Sequence, residues 1–445
     1  MDFVPHTADD DRAMLDAIGA ADMAELFEPV PAALRLTKDL DVPPALSEVE
    51  LIDHVTELAA KCSGARDLVC FAGGGAYDHH VPAAARALAS RAEFATSYTP
   101  YQPELSQGVL QAIYEFQTIV CELYGMDVAN ASLYDGASAL VESVNMAVRI
   151  TGRHKVIVGE TVHPHHRAVL ETSTKGLGLE IVTEPMGDGA VAWDRCNAED
   201  AAAVVVAYPN FFGRLEDIAR AADRAHASGA LAIASCDPTA MGILTPPGEV
   251  GFDIAVGEGY ALGNATSYGG PWVGLFATKA EHVRQVPGRI AGVTTDADGR
   301  RAYVLTLQAR EQHIRRAKAT SNVCTNQTLM AIAATIHLSW LGPHGLARLG
   351  EVCARRTAYA ARRLADIPGC SIAFDGPRFK EMVLKTPVDG SELVKRLARR
   401  GYLAGPALGR YWPEHDHSIL IAVTERRTAD DIDSFAEAIE KELTE

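Results

Sequence analysis

The sequence predicts an α/β protein: a mostly parallel, doubly wound sheet covered on both faces, followed by a smaller α+β domain. Three observations carry this. Ala203-Val204-Val205-Val206-Ala207-Tyr208 is apolar at every position, as a strand buried on both faces must be. It is followed by a helical pattern (Leu215, Ile218, Ala222, Ala225) ending at Gly229, and then by a second apolar run, Ala230-Leu231-Ala232-Ile233-Ala234. A strand–helix–strand order needs a crossover, which makes the two strands parallel. From about residue 331 the alternation gives way to longer helices and isolated strands.

Taken in order, residues 1–64 read as a helical amino-terminal arm that lies on a larger domain or on a partner. Ser47-Glu48-Val49-Glu50 has capping-box spacing, and Val49, Ile52, Val55 and Ala59 mark one face. Residues 65–330 read as the large α/β domain. Its pieces are Leu68 to Phe71, a helix with Leu110, Ile113, Phe116, Val120 and Leu123 ending at Gly125, and strands at Lys155 to Val158 and Leu179 to Val182. The pair above follows, then Ile254 to Val256 and Trp272 to Ala277. Residues 331–445 read as the small α+β domain, with strands at Ser371 to Phe374, Glu381 to Leu384 and Ile419 to Val423.

Composition narrows the functional classes. Hydrophobic residues make up 48% of the 445 and charged residues 22%, which excludes a disordered or fibrous chain. No apolar run approaches the roughly 20 residues that span a bilayer, so no membrane association is expected. Met1 to Pro5 leads into Asp9-Asp10-Asp11 without a basic-then-apolar pattern, so neither a signal peptide nor a transit peptide is expected. A balance of 41 basic against 58 acidic residues gives −17; such a surface repels a phosphate backbone, and nucleic acid is not an expected partner. The eight cysteines form no C-x-x-C pair. They read as reduced thiols of a cytoplasmic protein, not as a zinc site or a disulfide frame.

Several residues could carry chemistry. Asp237 directly follows a strand, where open α/β sheets deliver functional groups; it could pair with a protonated ring nitrogen or simply shape a turn. Ser132-Leu133-Tyr134-Asp135-Gly136-Ala137-Ser138 opens a helix. Its free amides could hold an anion, or Asp135 could merely cap it. Thr161-Val162-His163-Pro164-His165-His166 invites a metal reading, which fails for want of a further carboxylate or cysteine at ligand spacing; His163 stacking on a flat ring, or a plain surface histidine, remains. His79-His80 is read in the same way. Gly73-Gly74-Gly75 lacks G-x-G-x-x-G spacing and so does not read as a dinucleotide loop.

The order of these parts, a helix start at 135–138, a histidine at 163 and an aspartate at 237, resembles the fold type I family of pyridoxal-phosphate enzymes. The resemblance implies phosphate at the helix start, His163 on the pyridine ring and Asp237 on its nitrogen. It also implies a Schiff-base lysine some 20–30 residues after the aspartate. Here that stretch, Phe252 to Asn264, has no lysine, and none occurs between Lys175 and Lys279. An aldimine needs a primary amine, and Tyr260 or Leu262 cannot supply one. The chain is therefore either a degenerate copy or one that works beside a second chain.

Further runs sharpen the likeness: Gly73 to Pro82, Tyr98-Thr99-Pro100-Tyr101-Gln102-Pro103-Glu104, Gly257 to Gly263, Ser267 to Pro271, Gly288-Arg289-Ile290, and Thr320-Ser321-Asn322-Val323-Cys324-Thr325-Asn326-Gln327. They resemble the amino-terminal half of the glycine cleavage system P-protein, a glycine decarboxylase that some organisms make as two chains, and specifically its subunit 1. The resemblance implies an α2β2 assembly with a second subunit that carries the lysine and holds pyridoxal 5'-phosphate covalently. It also implies glycine as substrate and transfer of an aminomethyl group to a lipoyl H-protein. Tyr98, Thr99, Tyr101 and Gln102 would shape the partner's pocket from a stiff, proline-rich loop. Ser321, Asn322, Thr325 and Asn326 would orient substrate or phosphate, or else cap the following helix. Asp135, Ser138, His163 and Asp237 would be remnants of a cofactor site. Arg289, Arg310, Arg315 and Arg316 are candidates for holding a carboxylate bidentately. Two rival readings stay open: a non-catalytic stabilising or regulatory partner, and a stand-alone pyridoxal-phosphate enzyme using Lys279.

Overall fold

The computed structural model describes residues 5–64, 67–96 and 99–444. It separates into two compact units, Met1–Ser63 and Gly64–Glu445.

In the first unit, helix Ala8–Ile18 starts at a Thr7/Asp10 capping box, with Asp9, Asp10 and Asp11 at the positive end of its dipole, and stops at Gly19 in the left-handed conformation (φ 75°). Helix Glu48–Ala59 starts at the Ser47/Glu50 capping box that the spacing predicts. Between them only short turns form, Glu25–Phe27 and Ala32–Leu34. The segment is thus less helical than expected, because Pro29, Pro31, Pro43 and Pro44 interrupt it.

Among the described residues the second unit contains fourteen strands: β1 (Val69–Cys70), β2 (Val128–Ala129), β3 (Lys155–Gly159), β4 (Glu180–Glu184), β5 (Ala201–Tyr208), β6 (Leu231–Cys236), β7 (Ile254–Glu258), β8 (Gly274–Thr278), β9 (Ile290–Thr295), β10 (Arg301–Thr306), β11 (Ser371–Ile372), β12 (Glu381–Lys385), β13 (Tyr402–Leu403) and β14 (Ser418–Ala422). The central sheet has seven of them in the order β2-β8-β7-β6-β5-β3-β4. The five strands from β3 to β7 run parallel, β8 is antiparallel to β7, and β2 at the edge is antiparallel to β8 and so runs with the five. As predicted, β5 and β6 pair in parallel, Val205 beside Ile233.

Alternation sorts the side chains of β5. Val204 and Val206 face one layer with Phe116, Val120, Ile218 and Ala222; Ala203 and Val205 face the other with Leu140, Val144 and Leu170. Each fully buried valine or leucine contributes about 1.5–3 kcal/mol, so both layers favour the same register. Helix Gln107–Tyr124 covers the first face and ends at Gly125 (φ 63°); helix Gly136–Thr151 covers the second.

A long helical stretch, Thr328–Ala365, breaks at Gly342-Pro343, where Gly342 has φ 64°. It leads to the antiparallel sheet β11-β12-β14, with Phe71 stacked on Phe435 (4.1 Å between rings) in the core behind it. The segment entering β12 lies against the large sheet's loops: Phe379 N donates to Gly213 O at 2.9 Å and Leu215 N to Pro377 O at 3.1 Å. Gly213 has φ 78°, and a Cβ there would overlap the Glu381 carbonyl. Gly213→Ala therefore combines left-handed strain of about 1–3 kcal/mol with a backbone clash. Urea unfolding is expected to show a loss at or above that range, and an unchanged midpoint would contradict this packing.

Candidate functional site

Two places collect polar side chains. The first lies at the carboxyl end of the parallel strands, lined by Gly75, Tyr77, His163, Asp237, Glu258 and Tyr260, with Lys380 and Glu381 reaching in from the start of β12. Asp237 sits directly after β6. Its Oδ1 accepts from Thr239 N (2.9 Å) and Thr239 Oγ1 (2.7 Å), so it does shape the turn. Its Oδ2 pairs with Lys380 Nζ at 2.5 Å. Burial raises the Asp237 pKa, but the Lys380 charge and hydrogen bond outweigh that and hold it below the ordinary value. Lys380 is 1% exposed. Its ammonium also reaches His79 Nε2 (3.1 Å) and Thr239 Oγ1 (3.3 Å) and lies over the Tyr77 ring, 3.6 Å from the centroid.

Asp135 caps helix Gly136–Thr151 by accepting from Ser138 N at 2.7 Å. The next free amide, Gly136 N, donates to Glu258 Oε2 at 2.8 Å, while Glu258 Oε1 accepts from Tyr260 N (3.0 Å) and Val273 N (3.3 Å). The His163 ring is closed in as well. Nδ1 accepts from His165 N, Nε2 lies 2.7 Å from Gly74 O, one face stacks on His166 at 4.7 Å, and Phe211 meets its edge. Burial holds His163 down to about 4 and His166 to about 3. Tyr260, in the stretch where a lysine is expected, stacks on Trp272 and donates to Tyr77 O at 2.9 Å. The cavity left among these groups is about 90 Å³, against the roughly 300–1,000 Å³ of small-molecule sites. The residues present do not fit pyridoxal phosphate: Asp237, the Gly136 amide and both ring nitrogens of His163 are already bonded within the chain.

Sequence reasoning missed Lys380, Glu381 and Glu258. The signal for the first two was Phe379-Lys380-Glu381-Met382, two opposite charges embedded in apolar residues at a strand start. Glu381 Oε1 accepts from Gly74 N at 2.7 Å and Oε2 from Tyr77 OH at 2.9 Å. Lys279 is excluded from this place. It follows β8, whose Thr278 pairs with Ile254 at the amino end of β7, four residues or about 13 Å from Glu258. There it is paired with Asp253 Oδ1 at 2.6 Å and Gly251 O at 3.0 Å.

The second place gathers the other predicted residues around Arg289. This side chain, 5% exposed, donates from Nη1 to Thr99 Oγ1 (2.9 Å) and from Nη2 to Tyr101 OH (2.8 Å) and to Cys324 O. Its carbon Cζ lies 4.4 Å from the Tyr101 ring centroid. Asn326 Nδ2 donates to Ala131 O (3.0 Å) and Ser132 Oγ (2.9 Å), and Gln327 N donates to Ser132 Oγ. Ser321 Oγ accepts from Val323 N at 3.0 Å. Asn322 and Thr325 are exposed, as are Tyr101 and Gln102. Tyr98 lies outside the described residues. Arg289 faces inward, and Arg310 is turned onto the carbonyls of Val286, Gly288 and Leu307. Arg315 donates to Ala309 O.

The buried carboxyls of the first place give a pH test. Burial pushes Glu258 and Glu381 up to about 7. The folded state then keeps protons that the unfolded chain releases above about 4.5, so these groups lose stability as pH rises from about 4.5 to about 7. His163, His166 and His337, held down to about 4, 3 and 4 by burial, act in the opposite direction below 6.5. The informative quantity is therefore a difference. Glu258→Gln is expected to gain on the parent by up to about 3 kcal/mol between pH 5 and pH 8, measured by urea unfolding at both. A parallel pair of profiles would count against a shifted Glu258.

Comparison with known proteins follows this geometry. The family model described as glycine cleavage system P-protein matches residues 1–439. The probable glycine dehydrogenase (decarboxylating) subunit 1 of Moorella thermoacetica is 48% identical over 442 residues, 99% of each chain. Its counterpart in Prosthecochloris aestuarii is 47% identical over 98% of this chain and 99% of that one. The crystal structure of a glycine decarboxylase (P-protein) of the glycine cleavage system in inhibitor-bound form superposes with a TM-score of 0.92 at 43% identity. It covers 99% of this chain and 100% of that chain.

Proposed function

Because the chain belongs to the glycine cleavage system P-protein family as a subunit 1, with the fold type I architecture, we propose that it completes the active site of a second, lysine-bearing subunit. The bound cofactor there, pyridoxal 5'-phosphate, supplies electron withdrawal for the decarboxylation of glycine. The aminomethyl group passes to the lipoyl arm of an H-protein, in an α2β2 assembly in the cytoplasm. Three things support this division of labour. The relatives are named as subunit 1; Phe252 to Asn264 has no lysine; and this chain's own pocket is filled by its own side chains.

The observation that carries the reading is Arg289. One guanidinium binds Thr99, Tyr101 and the Cys324 carbonyl at once. It thereby ties two segments, far apart in sequence, into one surface. Because Arg289 is the donor in both contacts, the Thr99 and Tyr101 hydroxyls each keep a proton to donate outward. An exposed phenol and amide (Tyr101 and Gln102) and a half-buried hydroxyl (Thr99), flanked by Asn322, Thr325 and Asn326, can orient a carboxylate or phosphate at a partner's pocket and keep water out. Arg289 is a positioning residue in this arrangement, since it acts through Thr99 and Tyr101.

The experiment is reconstitution of both subunits with H-protein, following labelled carbon dioxide released from glycine. Tyr101→Phe is expected to lower kcat/KM about tenfold or more, as loss of one charge-assisted hydrogen bond does, with assembly intact by gel filtration. Arg289→Gln is expected to lower it further. A purely stabilising partner predicts unchanged turnover in both variants once assembly is verified, and that result would overturn the proposal.

A further inference from the structure

The pocket at the carboxyl end of the central sheet has the plan of a cofactor cradle and the contents of a sealed joint. We propose that Lys380 and Glu258 are built-in substitutes for the two polar ends of pyridoxal phosphate. Glu258 fills the helix start, and the bond from Lys380 to Asp237 clasps the segment entering β12 to the central sheet.

The geometry supplies both halves. Asp237 sits where this fold presents a carboxylate to a cationic ring nitrogen, and the cation it meets is the Lys380 ammonium at 2.5 Å. The ammonium lies 3.6 Å from the Tyr77 ring centroid, so an aromatic face covers it as well. At the other end, the start of helix Gly136–Thr151 would present amides to phosphate oxygens. Gly136 N donates instead to Glu258 Oε2, and Tyr260 N and Val273 N hold the other oxygen. A Cβ on Gly136 would lie 2.9 Å from Glu258 Cβ, so no space separates the carboxyl from the helix. Between the two ends stands Tyr260, 2% exposed and hydrogen-bonded to Tyr77.

The clasp also holds two parts of the unit together. Lys380 has φ 60°, a conformation unfavourable for a lysine, and it is kept there by backbone bonds on either side. Phe379 N donates to Gly213 O at 2.9 Å, and Val423 N to Lys380 O at 2.8 Å. The neighbouring Glu381 adds Gly74 N and Tyr77 OH. One dipeptide at the head of β12 thus reaches the loops after β1, β5 and β6. Removing one member of a buried ion pair strands the other, whereas neutralising both relieves the cost.

The test uses the full chain and pyridoxamine 5'-phosphate, which has no aldehyde and so forms no aldimines with surface lysines. Isothermal titration of the parent chain is expected to show no saturable binding. Lys380→Ala/Glu258→Ala, which vacates both ends, is expected to bind it saturably, and its melting temperature should rise with added ligand. Should that variant fail to fold, the Lys380→Met and Asp237→Asn cycle decides. Lys380→Met is expected to lower Tm by about 3–5 °C, and Lys380→Met/Asp237→Asn to regain most of it. Saturable binding by the parent, no gain in the folded double-alanine variant, or additive losses around the cycle would each overturn the proposal.

Discussion

A charge buried at the end of a parallel strand must be neutralised in place, and the pair of Asp237 with Lys380 meets that constraint for this chain. Parallel strands bring their carboxyl ends and the amino ends of the following helices to one edge of the sheet. That edge therefore collects unpaired amides, turn carboxylates and loops, all in a setting of low polarisability. A bound anion and cation could balance them. Here the protein does so with side chains recruited from β7 and from the head of β12. The closure of the C-terminal segment, the left-handed conformation at Lys380 and the intolerance of Gly213 to a side chain all follow from the need to bring that ammonium to Asp237.

The second polar cluster obeys the same physics in the opposite sense. Arg289 is as buried as many core residues, yet its partners are two hydroxyls and a carbonyl and not a carboxylate. The guanidinium satisfies acceptors on two loops and leaves the phenol and hydroxyl it meets with protons to give. One cluster is closed on itself and the other is built to face outward. The proposed division between a structural and a chemical role rests on this contrast.

Much of this was legible in the residues. The all-apolar run at Ala203 to Tyr208 can only be a strand with two covered faces, and it lies at the heart of the sheet. The capping box at Ser47 and the glycine stop at Gly125 are local rules that tertiary context had no reason to override. The absence of lysine from Phe252 to Asn264 was visible without coordinates. What the sequence could not display were contacts across long separations: Lys380 lies 143 positions from Asp237 and Arg289 lies 190 from Thr99. Periodicity carries no information about such pairs, because it reports which face of an element is buried and not what the far end of the chain delivers there. Arg289 shows the limit plainly. An arginine between Gly288 and Ile290 looks like a carboxylate binder, and only the fold reveals that its fork is already occupied by its own chain.

The clasp carries a consequence for how such a chain can change over generations. On the clasp proposed above, a cofactor in this cradle would require an amine in place of Tyr260, an empty helix start in place of Glu258 and an unpaired Asp237 in place of its bond to Lys380. Any one of these steps taken first leaves a buried charge or a void that weakens the fold before it offers any benefit. On that proposal the route to such a site is uphill at every first move, and the clasp acts as a ratchet.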